Sequence, residues 1–351
     1  MSKKFHDSYD LEDEKEENKK KPTALGSFIT LLFLILAALM WFKALPEYTR
    51  FMLEEPEPDT VVEEVDIPGD GTIPGRLEKE AAFVFFNAKT GSSLLLQTPD
   101  NTTSLVDGGE GSSPHQKEMP AFNLAENLYI PFFQLTGIKR LRQMVNTTPF
   151  SHYMGAQVDL VKYPDLEIKE ILLPPYEERF PPYRFLKSEA EGNIDIRQLE
   201  KKQKLIFGPG LKGKVLHTNP KPENRAEASS VLYLKYGAVR ILVMSHLPLE
   251  KEKELVLNWG NNLDIDLLVV GRHGGSSATG KELLEYTTPA FAVIPADKEK
   301  LLVEGTDKVV ERLKEAGVGS RNIYRTDRDG HIVLYTDGEQ VRFQRNAFPF
   351  L

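Results

Sequence analysis

Apolar and polar positions divide the 351-residue chain into regions of unlike character. Residues 24–44 read ALGSFITLLFLILAALMWFKA, an apolar run whose single charge is Lys43. At about 1.5 Å of rise per residue it crosses a hydrocarbon core of roughly 30 Å, which predicts one transmembrane helix over 24–45. Trp41 and Phe42 fall at the interfacial level, and Lys43 can snorkel.

From residue 81 the pattern changes to short β-rich runs separated by turns. AAFVFFNA, SSLLLQT and TSLVDGG come first, with Thr98-Pro99-Asp100-Asn101 supplying turn chemistry. A helix is expected over NLAENLYIPFFQLTGIKRLRQMV, then strands at 156–161 and 167–173, then a Pro-rich loop. LIFGPGLKGKVLHT, SSVLYLKYG, AVRILVMS and DIDLLVVG follow as strands. Helices around 249–259, 280–286 and 306–316 alternate with AFAVI, NIYRT, GHIVLYT and QVRFQ. This alternation predicts an α/β domain of layered, mixed sheets over 81–351.

Charge sharpens the division. Residues 46–80 carry three Lys/Arg against eleven Asp/Glu, while the rest of the chain is balanced, so the net charge of −8 sits in one stretch. That stretch is rich in Pro and Gly, and it reads as an extended acidic linker. Residues 1–23 read as a charged, disordered tail. Lys19, Lys20 and Lys21 precede the apolar run and only Lys43 and Arg50 follow it. The bias favours a cytoplasmic amino terminus, a single-pass cell-membrane protein and an extracytoplasmic main domain. No A-x-A site follows the run, so it is read as an uncleaved signal anchor.

The chain has no cysteine, which removes disulfides, thiolate metal sites and cysteine nucleophiles and leaves His, Asp, Glu and oxygen donors for any metal. Gly91-Ser92-Ser93 and Gly275-Ser276-Ser277 lack the G-x-S-x-G pattern of a serine nucleophile. Lys139, Arg140 and Arg142 read as a solvated helix face, and a balanced domain argues against strong non-specific nucleic-acid binding. His217 and His331 read as partly exposed sheet residues; His6 and His115 fall in loop or disordered sequence.

Five ordered strings then resemble one family, the metallo-β-lactamase-like domain of ComEC-type competence proteins. They are FVFFNAKTGSSLLLQTPDNTTSLVDGG, TGIKRLRQMVNTTPFSHYMGA, SSVLYLKYGAVRILVMSHL, DIDLLVVGRHGGSSATGKELLEYTTPAFAVI and VVERLKEAGVGSRNIYRTDRDGHIVLYTDG. The resemblance implies an αββα sandwich whose loops hold one or two divalent ions, normally zinc or manganese. The ligand positions are mostly changed. Where the family has H-x-H-x-D-H, this chain reads Thr147-Thr148-Pro149-Phe150-Ser151-His152, and the family's T-G-D-L is Met244-Ser245-His246-Leu247. H-H-G-S is Arg272-His273-Gly274-Gly275, and the His-Pro before the last helix is replaced within Ala296–Lys300.

The resemblance leaves His152, His246 and His273 as candidate metal ligands, Asp107 of VDGG as the candidate for proton transfer, and Arg272 as a candidate phosphate contact. Loss of the acidic ligands leads to the expectation of no cofactor and no catalysis, with the domain binding or scaffolding an envelope partner. The alternative is a mononuclear zinc or manganese hydrolase of phosphodiesters or nucleic acid.

Overall fold

The computed structural model describes residues 69–349 apart from 90, 112–122, 177–179, 191 and 297–304. The tail, the predicted membrane helix, most of the linker, His6, His115 and the substituted positions 297–300 lie outside the described residues. Among the described residues no helix is long and apolar enough to cross a membrane.

One sheet of eight strands runs, in spatial order, β17 (Val341–Gln344), β16 (Ile332–Thr336), β1 (Ala81–Phe85), β2 (Ser93–Gln97), β3 (Thr103–Gly108), β5 (Gln143–Val145), β7 (Glu170–Leu173) and β8 (Asp195–Gln198). A second, of seven, runs β15 (Ile323–Arg325), β14 (Phe291–Ile294), β13 (Leu267–Val269), β12 (Val239–Val243), β11 (Val231–Tyr236), β10 (Leu211–His217) and β9 (Lys204–Gly208). A short pair, β4 (Arg140–Leu141) and β6 (Glu167–Ile168), stands apart.

Alternation along the strands explains the layering. In β1, Ala81, Phe83 and Phe85 share a core with Ile241, Val243 and Val293 of the other sheet, while Ala82 and Val84 pack on the opposite face. That opposite face is covered by α1 (Ile130–Thr136), α2 (Ser151–Leu160) and α3 (Pro181–Ala190), which supply Phe132, Met154 and Leu186. The second sheet's outer face packs on α4 (Leu249–Trp259), α5 (Lys281–Thr287) and α6 (Thr306–Glu315) through Leu255, Leu284 and Val309. Central strands are therefore buried on both faces and read as continuous apolar runs. The result is a helix–sheet–sheet–helix sandwich.

Several local expectations are corrected. Residues 156–161 are not a strand, because 151–160 form α2; seven of its ten residues are buried, so no single apolar stripe marked it as helical. The helix expected to run to Val145 stops at Gly137, whose φ of 77° ends α1, and β4 and β5 follow. Arg140 consequently lies in β4 and Arg142 in the bend between β4 and β5, not on a helix face. Arg140 pairs with Glu167, and Arg142 donates to the Ile206 carbonyl at 2.8 Å. The Pro-rich loop contains α3, which opens on Pro181, a residue the first helical turn accepts.

The domain also starts before residue 81. Ile73 is fully buried against the helices, its N–H donates to Gln97 Oε1 at 2.9 Å, and Arg342 pairs with Glu80. Composition hid this, because polar side chains anchor that stretch.

Candidate metal centre

The site lies where strands of both sheets end. Asp107 is near the end of β3 and Thr147 just beyond β5, while His152 is in the first turn of α2. His246 follows β12, Arg272 and His273 follow β13, and Pro295 follows β14. Strands β3, β5 and β7 are parallel to one another, as are β12 to β15, so their carboxyl ends deliver loops to one edge. Ligands gather at such edges because loops, unlike strands, leave side chains free.

Backbone strain concentrates here. Asp107, Ser245, Arg272 and His273 all have φ between 50° and 56°. Each left-handed, non-glycine residue costs about 1 kcal/mol or more, and surrounding contacts must hold it. Two glycines help place His152: Gly111 and Gly155 approach so closely that a Cβ on either would overlap the other's backbone. The contact presses α2 onto the loop that follows Asp107.

His152, His246 and His273 come together. One ring nitrogen from each lies within 4.8 Å of the other two. His273 is buried, and its Nδ1 lies 3.2 Å from the Pro295 carbonyl. A carbonyl only accepts, so Nδ1 carries the proton and Nε2 presents a lone pair. That Nε2 and the Nε2 of His152 are buried with no hydrogen-bond partner. Tyr153 Oη is 3.4 Å from His246 Nδ1, and the Phe150 ring packs on those of His246 and His152, with centroids 4.5 and 5.3 Å away.

All three imidazoles are held neutral. Burial lowers His152 to about 3, with His273 and Arg225 adding to the effect. Burial lowers His246 to about 2, helped by Arg272 and the other two histidines. His273 falls to about 4 through burial and Arg272, against the Pro295 and Gly91 backbones. Three converging, unprotonated nitrogens, two of them orphaned in a buried setting, fit a divalent cation of the zinc type.

Asp107 stands outside this cluster. Its two oxygens accept from Thr147 N at 2.8 Å and Thr147 Oγ1 at 2.7 Å, and burial raises its pKa to about 7 against those bonds. Thr147 Oγ1 also meets Ser245 Oγ at 2.6 Å. Arg272 is beside His273 in sequence, and its N–H donates to the Ser245 carbonyl. His217 and His331 are only 7% and 9% exposed, more buried than their strand contexts implied.

Reading the sequence missed Phe150, Tyr153, Pro295 and Arg225. Phe150 lies inside the substituted ligand string, which was a usable signal. Arg225 lies in a polar loop with no motif, yet its guanidinium stacks over Phe150 and Phe180 at 5.3 and 4.6 Å.

No protein-family model matches the chain. ComE operon protein 3 of Bacillus subtilis (strain 168) is 26% identical over 268 residues, covering 73% of this chain and 33% of the relative. Competence protein ComA of Neisseria gonorrhoeae is 24% identical over 279 residues, covering 76% and 34%. The chain spans about a third of the length of these relatives. Among solved structures, the metallo-β-lactamase-fold protein YhfI from Bacillus subtilis superposes with a TM-score of 0.43 at 12% identity, covering 70% of this chain and 95% of that one. The domain is a mixed α/β sandwich with metallo-β-lactamase-fold neighbours. The chain is a low-identity relative of ComEC-type competence proteins.

Proposed function

We propose that this chain carries a ComEC-like domain in which a dinuclear hydrolase centre is reduced to one three-histidine site for a divalent cation, zinc or manganese. The supporting observation is the convergence of the His152, His246 and His273 nitrogens within 4.8 Å. A cation held there supplies Lewis acidity toward a water or phosphoryl oxygen. The chain's own groups do the remaining work. The Pro295 carbonyl keeps the His273 proton on Nδ1, Phe150 shields two imidazoles from water, and Thr147 fixes both oxygens of Asp107. The reaction class is hydrolysis of a phosphate ester.

A second reading is an inactive binding or scaffolding domain at the cell envelope. It is favoured by Asp107, whose engaged oxygens leave the histidine cluster without a carboxylate partner for proton transfer. In both readings the apolar run at 24–45 anchors the chain in a membrane, with an envelope protein or nucleic acid as the partner.

Elemental analysis of the full-length protein in detergent, equilibrated with zinc and freed of excess, tests the metal site. About one ion per chain, lost in His246→Ala, is expected; no retained ion overturns the proposal. Turnover of phosphate esters by the loaded protein then separates the hydrolase from the inactive binder.

A further inference from the structure

The outer face of the seven-stranded sheet is only partly covered. Helices α4, α5 and α6 pack on it over Leu216, Val231, Leu242 and Leu268. Leu205, Phe207, Val215, Leu232 and Leu234 point the other way, into the core between the sheets. Strand alternation therefore turns Lys204, Ile206, Lys212, Lys214, Tyr233 and Lys235 outward, where each is exposed or half-exposed. Among the described residues none of the four lysines has a carboxylate partner. They stand opposite one another instead. Lys204 faces Lys214 across β9 and β10, and Lys212 faces Lys235 across β10 and β11. Arg240, opposite Lys235, is already paired with Asp264 and Asp266.

Like charges directly opposite on neighbouring strands destabilise a sheet. A lysine guards an edge strand against stray pairing, which accounts for Lys204 in β9, but Lys212 and Lys235 lie in interior strands. Apolar surface is mixed with the charge. Ile206 is 58% exposed, and Tyr233 and Trp259 are half-exposed. Lys214 Nζ lies 4.3 Å from the centre of the Trp259 ring, so that ring is already engaged and is a poor platform for a stacked base. The Ile206 carbonyl accepts from Arg142 Nε at 2.8 Å, which disfavours an added strand at this edge.

Resting on the reading of residues 24–45 as a membrane anchor, we infer that this lysine face docks on an anionic lipid surface. Residues 46–68 join the apolar run to Gly69, and twenty-three residues reach at most about 80 Å, so the domain stays beside the bilayer that the run enters. A tether of that length makes docking intramolecular, and a weak attraction at each lysine then suffices. Lysines suit such a surface because their stems lie along apolar groups while the ammonium meets lipid phosphate. Ile206 supplies aliphatic contact between them, and Tyr233 and Trp259 are the amphipathic ring types that settle at headgroup level.

The test is lysine acetylation of the full-length protein in nanodiscs of phosphatidylcholine, alone or mixed with phosphatidylglycerol, read residue by residue by mass spectrometry. Lys204, Lys212 and Lys235 are expected to label about fivefold or more slowly in the mixed discs, and high salt is expected to abolish that protection. Lys169, exposed between β6 and β7, should label equally in both. Lys204→Glu combined with Lys235→Glu turns both like-charge pairs into opposite-charge pairs, so the fold is not put at risk. In that variant Lys212 should label at the same rate in the two discs. Equal labelling of the unmodified chain in both discs overturns this inference and leaves the anchor standing. Protection that single-stranded DNA confers in phosphatidylcholine discs, and phosphatidylglycerol does not, overturns the lipid assignment. Capture of the chain by the mixed discs alone supports the face and overturns the anchor, and capture by neither overturns both.

Discussion

Thr147 Oγ1 and Ser245 Oγ meet at 2.6 Å across 98 residues of sequence. The bond joins a loop of the eight-stranded sheet to a loop of the seven-stranded one. Thr147 also holds Asp107, so three side chains form a continuous link beside the histidine cluster. Thr147 and His246 stand where the family resemblance puts metal ligands, and Ser245 immediately precedes His246. A hydroxyl and carboxylate network therefore ties the two sheets beside the histidine cluster.

Thr147→Val should destabilise the domain by about 1–3 kcal/mol, because it leaves one buried oxygen of Asp107 and the buried Ser245 hydroxyl without their Thr147 Oγ1 partner. Thr147→Ser keeps the hydroxyl and should recover most of the loss. Urea denaturation midpoints of the two variants provide the check.

Gly155→Ala should cost about 1–3 kcal/mol, since its methyl meets the Gly111 backbone and α2 has to move. Because α2 carries His152, zinc affinity should fall as well. An alanine that left both stability and zinc binding unchanged would show that the helix is not pressed onto that loop.

Replacing any one of His152, His246 and His273 by Ala should weaken zinc by about 100-fold or more, on the scale of one lost protein ligand. Competition with a chromogenic chelator measures this. Asp107→Asn should leave zinc affinity within about threefold, because Asp107 lies outside the cluster, and a change comparable to a lost histidine would place it among the ligands.

Acid should destabilise the fold through His217 and His331. Burial lowers both to about 4 in the folded state, whereas an unfolded histidine titrates near 6.5. Below about pH 6.5 the unfolded chain gains protons that the folded chain refuses, so their contribution is lost as pH falls toward 4. Glu252 behaves oppositely. Burial raises it to about 7 although the Thr279 and Gly280 N–H groups bind its oxygens. Its contribution is present near pH 4.5 and lost as pH climbs through 7, so the stability cost of Glu252→Gln should shrink between about pH 5 and pH 8. Denaturation curves at the two pH values settle the sign.

Deleting residues 24–45 should release the protein from a detergent-requiring membrane fraction into the soluble fraction, since no described helix can replace that span. Fractionation of both forms, followed by blotting, reads this out.

Sequence by itself determined the elements whose apolar residues are contiguous. The strands AAFVFFNA, AVRILVMS and GHIVLYT were legible because each is buried on both faces and needs no partner to be recognised. The three histidines were legible too, through their places in ordered family strings. Helix α2 was not, because burial on nearly every side erased its period, and α3 was hidden by its opening prolines. Tertiary structure alone decided that His152, His246 and His273, separated by as much as 121 residues, share one cleft. It alone turned Asp107 toward Thr147 and brought Arg225 over Phe150. Those choices depend on how two sheets stack and how their loops meet, and no local pattern encodes a distance between segments that touch only after the core has formed.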